Sequence, residues 1–317
     1  MNVAIIGFGN IAIKHKEAIE YAGDTVIASV NRSEKGNQLA KEYGIPRTYS
    51  TIESMLQEES PDAILVTVSY ENIYDITKLL IPFKIPLLIE KPAGTSLAQL
   101  NELIQLSEQY GTLVQVAMNR RHYEIFHKAL EHMGGIDKLS AIDVEWSETP
   151  LKLLFQKGYS REQVAKIIYG NSIHGIDMAT FFGGDLENIH TQVSNFGDDF
   201  RWYMQFVAKS SRGVLVSFRS SWDHPVPWKM VMSTKARRYV FAPLEKCMVH
   251  ETNIGEMYAL TCEEQNLSIK AGFMGQWNAF KQTILNLEIP LIHDLKSCIV
   301  SMSIAEDFYT KLMNASK

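Results

Sequence analysis

The first twelve residues contain a spacing of glycines that can bind the phosphates of a dinucleotide. Gly7-Phe-Gly-Asn-Ile-Ala12 reads G-x-G-x-x-A, directly after the apolar run Val3–Ile6 and before a helical pattern. In this strand–turn–helix context, Gly7 allows a tight turn, Gly9 lets a pyrophosphate approach the backbone, and Ala12 permits close packing. The start of the helix adds free N–H groups for phosphate. A simple tight turn is the alternative. The candidate cofactor-binding residues of the turn are Gly7, Phe8, Gly9, Asn10 and Ile11.

The end of the second predicted strand, Asp24–Asn31, bears on the choice between NAD and NADP. An acidic residue there would accept hydrogen bonds from the ribose 2′-hydroxyl of NAD, but the chain continues with Arg32 and Ser33. The guanidinium of Arg32 would bind a 2′-phosphate, with Asn31 and Ser33 as neutral donors. We therefore expect NADP(H) to be favoured, with NAD(H) as the other candidate cofactor. The alternative is a solvated Arg32, with Glu34 binding the ribose.

The first half of the chain alternates strands with helices, which predicts an α/β fold with a doubly wound parallel sheet. The predicted strands include Val3–Ile6, Asp24–Asn31, Pro61–Ser69, Leu87–Ile89 and Leu113–Met118. Ligands of such sheets bind beyond the carboxyl ends of the strands. Residues that follow these strands are therefore further candidates for the cofactor site, namely Ser69, Glu90, Lys91 and Asn119.

The pattern changes after Met118. Residues 189–269 read as short, alternating strands bounded by turns, which predicts a mostly antiparallel sheet with helices over one face. We expect an N-terminal Rossmann domain at residues 1–119 and a C-terminal α+β domain at residues 120–317. The second domain would bind substrate and support a homodimer or homotetramer through its exposed sheet face. The last helix, Leu295–Lys311, could pack back on the first domain.

The composition argues against several classes of protein. The chain has 317 residues, with 46% hydrophobic and 21% charged residues, which fits two folded domains. A net charge of −5 is too small to indicate a nucleic-acid partner. No apolar run of about 18 residues indicates a membrane span, and the N-terminal pattern predicts a cytoplasmic protein without a signal peptide. No metal site is expected. His122, His127 and His132 recur at a spacing of five, which does not place them on one face of a helix where they could bind the same ion.

Three features together resemble the Gfo/Idh/MocA family, which is named after glucose–fructose oxidoreductase, inositol dehydrogenase and a rhizopine-catabolism protein. These are the glycine turn, Glu90-Lys-Pro92 and His174-Gly-Ile-Asp177. The similarity runs nearly end to end and includes Val66–Ser69, Asn119-Arg120 and Ala271–Gln276. It implies an NAD(P)-dependent oxidoreductase. Such an enzyme would transfer a hydride between nicotinamide and a small molecule: a sugar, keto-sugar, cyclitol or nucleotide-linked sugar.

The resemblance also implies the catalytic residues. Hydride transfer at a carbinol requires a proton to move at its oxygen. Lys91 would hydrogen-bond and polarise that oxygen, unless it only forms a salt bridge with Glu90. His174 would transfer the proton, since an ordinary histidine pKa of about 6.5 suits that task. Asp177 shares roughly one helix face with His174 and is expected to be a structural partner.

One position departs from the family pattern. Relatives with the fullest catalytic triad carry an aspartate four residues before the histidine, and that position is Gly170 here. Glycine can neither bind a hydroxyl group nor tune an imidazole. We therefore hypothesise that Tyr169 or His174 donates the proton in the reduction of a keto compound. The alternatives are a catalytically impaired regulatory protein that binds dinucleotide and sugar, and an imine or enone reductase.

Overall fold

A computed structural model of the chain describes residues 1–194, 202–222, 228–252, 255–286 and 293–314. The strands in these ranges are β1 (Asn2–Ile6), β2 (Thr25–Val30), β3 (Arg47–Tyr49), β4 (Ala63–Val66), β5 (Leu87–Ile89), β6 (Val114–Val116), β7 (Leu139–Ser147), β8 (Leu186–Ser194), β9 (Tyr203–Ser210), β10 (Leu215–Ser221), β11 (Lys229–Thr234), β12 (Arg237–Phe241), β13 (Cys247–Glu251) and β14 (Tyr258–Leu260). The α-helices are α1 (Asn10–Tyr21), α2 (Glu34–Glu42), α3 (Ile52–Glu58), α4 (Ile73–Leu80), α5 (Leu97–Tyr110), α6 (Glu124–Met133), α7 (Leu151–Gln156), α8 (Arg161–Ala165), α9 (Ile173–Gly183), α10 (Phe273–Leu285) and α11 (Ile299–Asn314). None of the helices in the described ranges has the length and the apolar character needed to cross a bilayer.

The elements form two compact units. The first consists of Met1–His122 and Ser268–Ile299, and the second of Tyr123–Leu267 and Val300–Lys317. The segment 268–299 therefore lies in the first unit, although the sequence pattern predicts one domain over residues 120–317. From Val300 onward the last helix is part of the second unit, where the Phe308 ring lies 6.1 Å from that of Phe218.

The first unit confirms the predicted doubly wound parallel sheet. Its described strands lie in the order β3-β2-β1-β4-β5-β6, and each neighbouring pair is parallel. Residues Val3–Ile6 of β1 are almost wholly buried, as expected for an apolar strand that helices cover on both faces. The strand order reverses between β1 and β4, and folds of this type bind ligands at that position.

Helix α10 belongs to the first unit because its apolar face packs against α1. Trp277 and Phe280 join the same core as Ile13 and Ile19. A polar contact reinforces this packing, since Trp277 Nε1 donates to the buried carboxylate of Asp24 at 2.8 Å. The position of α10 depends on these contacts between residues about 250 positions apart in the chain.

The second unit confirms the predicted, mostly antiparallel sheet. Its described strands lie in the order β14-β13-β12-β11-β7-β10-β9-β8, and of these neighbours only β7 and β10 are parallel. Helix α9 packs on β7 and β10. The irregular turn Ile168–Ser172 has π-helical hydrogen bonding and leads directly into α9.

Candidate functional site

The glycine turn has the geometry that the sequence predicts for close approach of a ligand. Gly7 has a φ of +87°, and a Cβ there would lie 2.8 Å from Cγ1 of Val68. Gly9 differs, because a Cβ built on it would have no heavy atom within 4 Å. Helix α1 begins after Gly9 with no side chain capping its N–H groups. The turn therefore offers open space beside uncapped backbone donors, which fits a phosphate group.

A cleft of about 690 Å³ opens beside this turn. Seven of the predicted cofactor-binding residues line it, and these are Gly7, Phe8, Gly9, Asn31, Arg32, Ser33 and Ser69. The lining also includes residues that follow β3 and β4 and that the sequence reasoning did not select, among them Ser50, Thr51, Glu53 and Asp75. The sequence could have identified these residues by their position after predicted parallel strands. The cleft therefore extends along one edge of the sheet within the first unit.

Asn31 connects β2 to the glycine turn. Its Oδ1 accepts a hydrogen bond from the N–H of Phe8 at 2.6 Å, and its Nδ2 donates to Ser29 Oγ at 3.0 Å. The side chain is buried and packs against Gly36, where a Cβ would lie 3.1 Å from it. Asn31 therefore holds the backbone that faces the cleft.

Arg32 and Ser33 lie at the end of the cleft beyond β2. The Arg32 side chain is exposed. Ser33 caps α2, because its hydroxyl accepts from the N–H of Gly36 at 3.2 Å. The Arg32 guanidinium and the Ser33 hydroxyl therefore belong to adjacent residues that line the cleft. The hydroxyl already accepts a hydrogen bond from a backbone N–H.

Ser69 lines the cleft with Asn72, whose Nδ2 donates to Ser69 Oγ at 2.6 Å. Asn10 is exposed and Ile11 is half-buried at the start of α1. These two residues do not line the cleft with their side chains. Any part they play in phosphate binding is through their backbone N–H groups.

Glu90 follows β5 and forms a buried pair with His15 of α1. His15 Nε2 lies 2.8 Å from Glu90 Oε1, and Glu90 Oε2 accepts the N–H of Lys91 at 3.2 Å. Burial by itself would raise the pKa of Glu90, but His15 and the charge of Lys91 outweigh it and lower that pKa. Glu90 is therefore a structural carboxylate beside Lys91. The sequence reasoning did not identify His15 as its partner.

Lys91 is half-buried and precedes a cis peptide bond to Pro92. Asn119 follows β6 and is buried, with its Nδ2 donating to the carbonyl of Ala271 at 3.2 Å. Glu90, Lys91 and Asn119 do not line the cleft beside the glycine turn. They lie at the carboxyl ends of β5 and β6, on the other side of the switch point.

The second unit carries the remaining candidates. His174 and Asp177 are both buried in α9. Gly175 between them is required by packing, because a Cβ there would lie 2.7 Å from the Trp146 ring and 2.8 Å from the Phe218 ring. The turn that carries His174 is therefore pressed against the sheet.

Tyr169 lies in the core of the second unit, with 1% of its surface exposed. Its ring centroid is 5.8 Å from that of Tyr309 on α11. Burial raises the pKa of the Tyr169 phenol, and the nearby Glu306 and Tyr309 raise it further. A buried phenol with a raised pKa gives up its proton less readily than an ordinary tyrosine.

Comparison with known proteins matches the N-terminal part of the chain to a family model. Residues 1–118 match the Gfo/Idh/MocA model, described as an oxidoreductase family with an NAD-binding Rossmann fold. The chain is 22% identical over 207 residues to a myo-inositol 2-dehydrogenase from Thermotoga maritima. That match covers 63% of this chain and spans 60% of the length of the relative.

Two solved structures share the fold of the whole chain. A Gfo/Idh/MocA family oxidoreductase from Vibrio cholerae superposes with a TM-score of 0.83 at 16% identity, covering 100% of both chains. A UDP-N-acetylglucosamine 3-dehydrogenase from Acidithiobacillus ferrooxidans has a TM-score of 0.78 at 14% identity and covers 98% of this chain and 97% of its own. At such identities the likeness shows the fold alone. The sequence match to the Gfo/Idh/MocA family is therefore that of its NAD-binding Rossmann domain, over residues 1–118.

Proposed function

We propose that this protein is an NAD(P)-dependent oxidoreductase acting on CH–OH and C=O groups. Its substrate would be a sugar, keto-sugar, cyclitol or nucleotide-linked sugar. The observation that carries the proposal is the open space at Gly9 beside the uncapped start of α1, in a domain that matches an NAD-binding family. A dinucleotide needs such a backbone approach for its pyrophosphate.

NADP(H) is the favoured cofactor in this proposal. Gly7, Phe8 and Gly9 would hold the pyrophosphate, and the exposed Arg32 would pair with the 2′-phosphate. Ser33 contributes less to this contact, because its hydroxyl already caps α2. Asn31 would act on the cofactor indirectly through the N–H of Phe8. When bound, the nicotinamide would supply hydride transfer to or from carbon.

Lys91 would bind the oxygen of the reacting carbon, and His174 would transfer a proton to or from it. The ammonium group of Lys91 would hydrogen-bond that oxygen and stabilise negative charge on it. Glu90 would orient this lysine from its buried pair with His15. His174 would donate a proton to the oxygen during reduction and accept one during oxidation. Tyr169 is the weaker candidate for this step, because its phenol is buried against α11.

The names of two similar proteins support this substrate class. One is a myo-inositol 2-dehydrogenase and another is a UDP-N-acetylglucosamine 3-dehydrogenase. Both names describe oxidation of a secondary alcohol on a six-membered ring. A ring alcohol of this kind, or the corresponding ketone, is therefore the first group of compounds to test.

The test is steady-state turnover of the full chain. Keto-sugars and keto-cyclitols would be screened with NADPH and NADH, and polyols with NADP⁺ and NAD⁺. Turnover should fall by about 100-fold or more in Lys91→Met and in His174→Ala, because each loses charge stabilisation or proton transfer. Lys84→Met is the matched control, since Lys84 is an exposed residue of the loop before β5. Full activity in both site variants would refute the assigned roles.

Gly170 favours a second candidate function, a regulatory protein that binds dinucleotide and sugar without turnover. The turn before His174 lacks a carboxylate side chain at this position. Cofactor and sugar binding without product in any of these screens would support this alternative. Steady turnover of any one compound would exclude it.

We also propose that the partners are small molecules and a second copy of this chain, without nucleic acid or membrane. Val207 and Leu215 are 50% and 59% exposed on one face of the large sheet. Arg219 and Glu145 form an ion pair of 2.8 Å on neighbouring strands. A homodimer or homotetramer through this face should appear in light scattering and dissociate in the double variant Val207→Glu, Leu215→Glu. A monomeric wild-type chain at micromolar concentration would contradict the proposal.

A further inference from the structure

Glu148 is a buried carboxylate that none of the roles above uses. It follows the last residue of β7, and only 9% of its surface is exposed. Its backbone N–H donates to the carbonyl of Ser221 at 3.3 Å, which ties it to the neighbouring strand β10. A carboxylate is seldom buried to this extent unless specific donors compensate for the lost water.

Three side-chain donors surround this carboxylate. Oε1 accepts from Trp146 Nε1 at 2.9 Å and from Ser172 Oγ at 2.6 Å, while Oε2 accepts from Asn171 Nδ2 at 2.7 Å. The indole and amide nitrogens can donate but cannot accept. Both oxygens therefore face a group to which a protonated carboxyl could not donate. The indole of Trp146, the hydroxyl of Ser172 and the amide of Asn171 therefore all converge on this carboxylate.

Two of the donors belong to the turn that leads into the His174 helix. Asn171 and Ser172 end the π-helical turn 168–172, and α9 begins at Ile173. Glu148 therefore holds the side chains of Asn171 and Ser172, three and two residues before His174.

The third donor, Trp146, packs against the residue that follows His174. The Trp146 ring lies against Gly175, leaving no room for a Cβ at that position. The ring is itself held by Trp228, which stacks on it with centroids 4.2 Å apart and planes within 6°. Trp146 thus contacts the residue after His174, and Glu148 contacts the two residues before Ile173.

We propose that Glu148 is a positioning residue for His174, supplying from β7 the carboxylate that the turn lacks at Gly170. The ionised carboxylate clamps the turn through Asn171 and Ser172 and locks the Trp146 ring on which Gly175 packs. The assignment rests on the proposed role of His174 in proton transfer. It extends that role by naming the group that sets the orientation of the imidazole.

The primary test replaces Glu148 with glutamine in the full chain. Glutamine keeps the shape but removes the charge and presents an NH₂ group to one of the donors. We expect kcat to fall by roughly 10-fold to 100-fold, as for a misplaced catalytic group. The Kd for the reduced cofactor, which binds the other unit, should stay unchanged, and a cooperative thermal transition of the variant would report that it is folded. Glu148→Asp should recover part of the lost kcat, because it restores the charge at a shorter reach.

A second measurement does not require turnover. The imidazole ¹H–¹³C signal of His174, assigned from its loss in His174→Ala, should be displaced in Glu148→Gln and in Ser172→Ala. Glu131→Gln is the matched control, since Glu131 is an exposed glutamate of the same unit. A wild-type kcat or an undisplaced His174 signal in Glu148→Gln would overturn the proposal. A displaced signal in a protein without any turnover would instead refute the oxidoreductase function and leave the positioning role intact.

Discussion

Nε2 of His15 lies 2.8 Å from Oε1 of Glu90, and both side chains are buried. One comes from the helix that follows the glycine turn, and the other from the end of β5. The pair therefore joins the start of the cofactor cleft to the residue before Lys91. It connects the two parts of the first unit for which we propose phosphate binding and oxygen binding.

Removing one member of this pair should destabilise the protein strongly. His15→Ala leaves the Glu90 carboxylate buried without its partner, and such changes cost about 3–5 kcal/mol. Urea unfolding followed by circular dichroism would measure the loss. Lys14→Ala on the same helix removes only the exposed pair with Glu17, and its effect should be about 0.5 kcal/mol or less. Equal effects of the two variants would show that the buried pair contributes little.

The same pair should make stability depend on pH in the acid range. The pKa of Glu90 is lowered from its ordinary value of 4.5, because His15 and Lys91 overcome the effect of burial. The unfolded chain then binds this proton more tightly than the folded chain, so protonation favours unfolding. The stabilising contribution is fully present well above pH 4.5 and is lost as the pH falls through the lowered pKa.

Glu90→Gln tests this dependence. The difference in free energy of unfolding between wild type and variant should be constant near neutral pH and should shrink below about pH 4.5. The exposed substitution Glu17→Gln gives the reference curve. A wild-type minus Glu90→Gln difference that stays constant down to pH 3 would show that the folded pKa of Glu90 is not lowered.

The two glycines of the turn should respond differently to substitution. Gly7→Ala places a Cβ against Val68 at a φ of +87°, so we expect a loss of roughly 1–3 kcal/mol in stability. Gly9→Val meets no atom within 4 Å and should leave the melting temperature nearly unchanged. The valine side chain would instead fill the space left for pyrophosphate, and dinucleotide binding should be abolished. Unchanged cofactor affinity in a folded Gly9→Val protein would rule out this binding position.

Substitutions of Asn31 and Arg32 should distinguish residues that support binding of either cofactor from residues that favour NADP(H). Asn31→Ala frees the Phe8 N–H, so NADPH and NADH should lose similar affinity, about tenfold each. Arg32→Ala should weaken NADPH alone, by roughly 10-fold to 100-fold. Kd values from fluorescence titrations of both variants with both cofactors give the comparison. An equal loss for NADH in Arg32→Ala would show that this residue does not read the 2′-phosphate.

Gly175→Ala should lower both the stability of the second unit and the kcat of the enzyme. The added methyl group would lie within 2.8 Å of the Trp146 and Phe218 rings, which are both buried. We expect a loss of about 1–3 kcal/mol from overpacking and a reduced kcat from the displaced His174 turn. Thermal unfolding and turnover of the variant measure both effects. Wild-type values for both would contradict the close contact.

Sequence periodicity was a good guide where structure is local. Leu87–Ile89 has the predicted bounds, because a short buried apolar run defines the strand. The glycine turn and the cleft residues after β2 were also found from local spacing. The sequence could not place α10 in the first unit, because its packing on α1 depends on contacts such as Trp277 with Asp24. Short elements such as α7 and β14 carry too few residues to show a period.

The sequence also did not reveal side-chain partners that are far apart in the chain, because these too depend on the tertiary fold. The His15–Glu90 pair joins residues 75 positions apart, and Glu148 reaches Ser172 over 24 positions. No spacing rule relates such residues. The prediction of a mostly antiparallel second sheet was confirmed, but it did not say which strands run parallel, since the direction of β7 and β10 depends on the long connection between them.

The most direct test of the central claim is a fluorescence titration of the purified chain with NADPH and, separately, with NADH. We predict saturable binding of NADPH that is tighter than that of NADH, and loss of both in Gly9→Val. A preference for NADH would remove Arg32 from its proposed role and direct the substrate screen to polyols with NAD⁺. Failure of the folded wild-type protein to bind either dinucleotide would contradict the proposed function altogether.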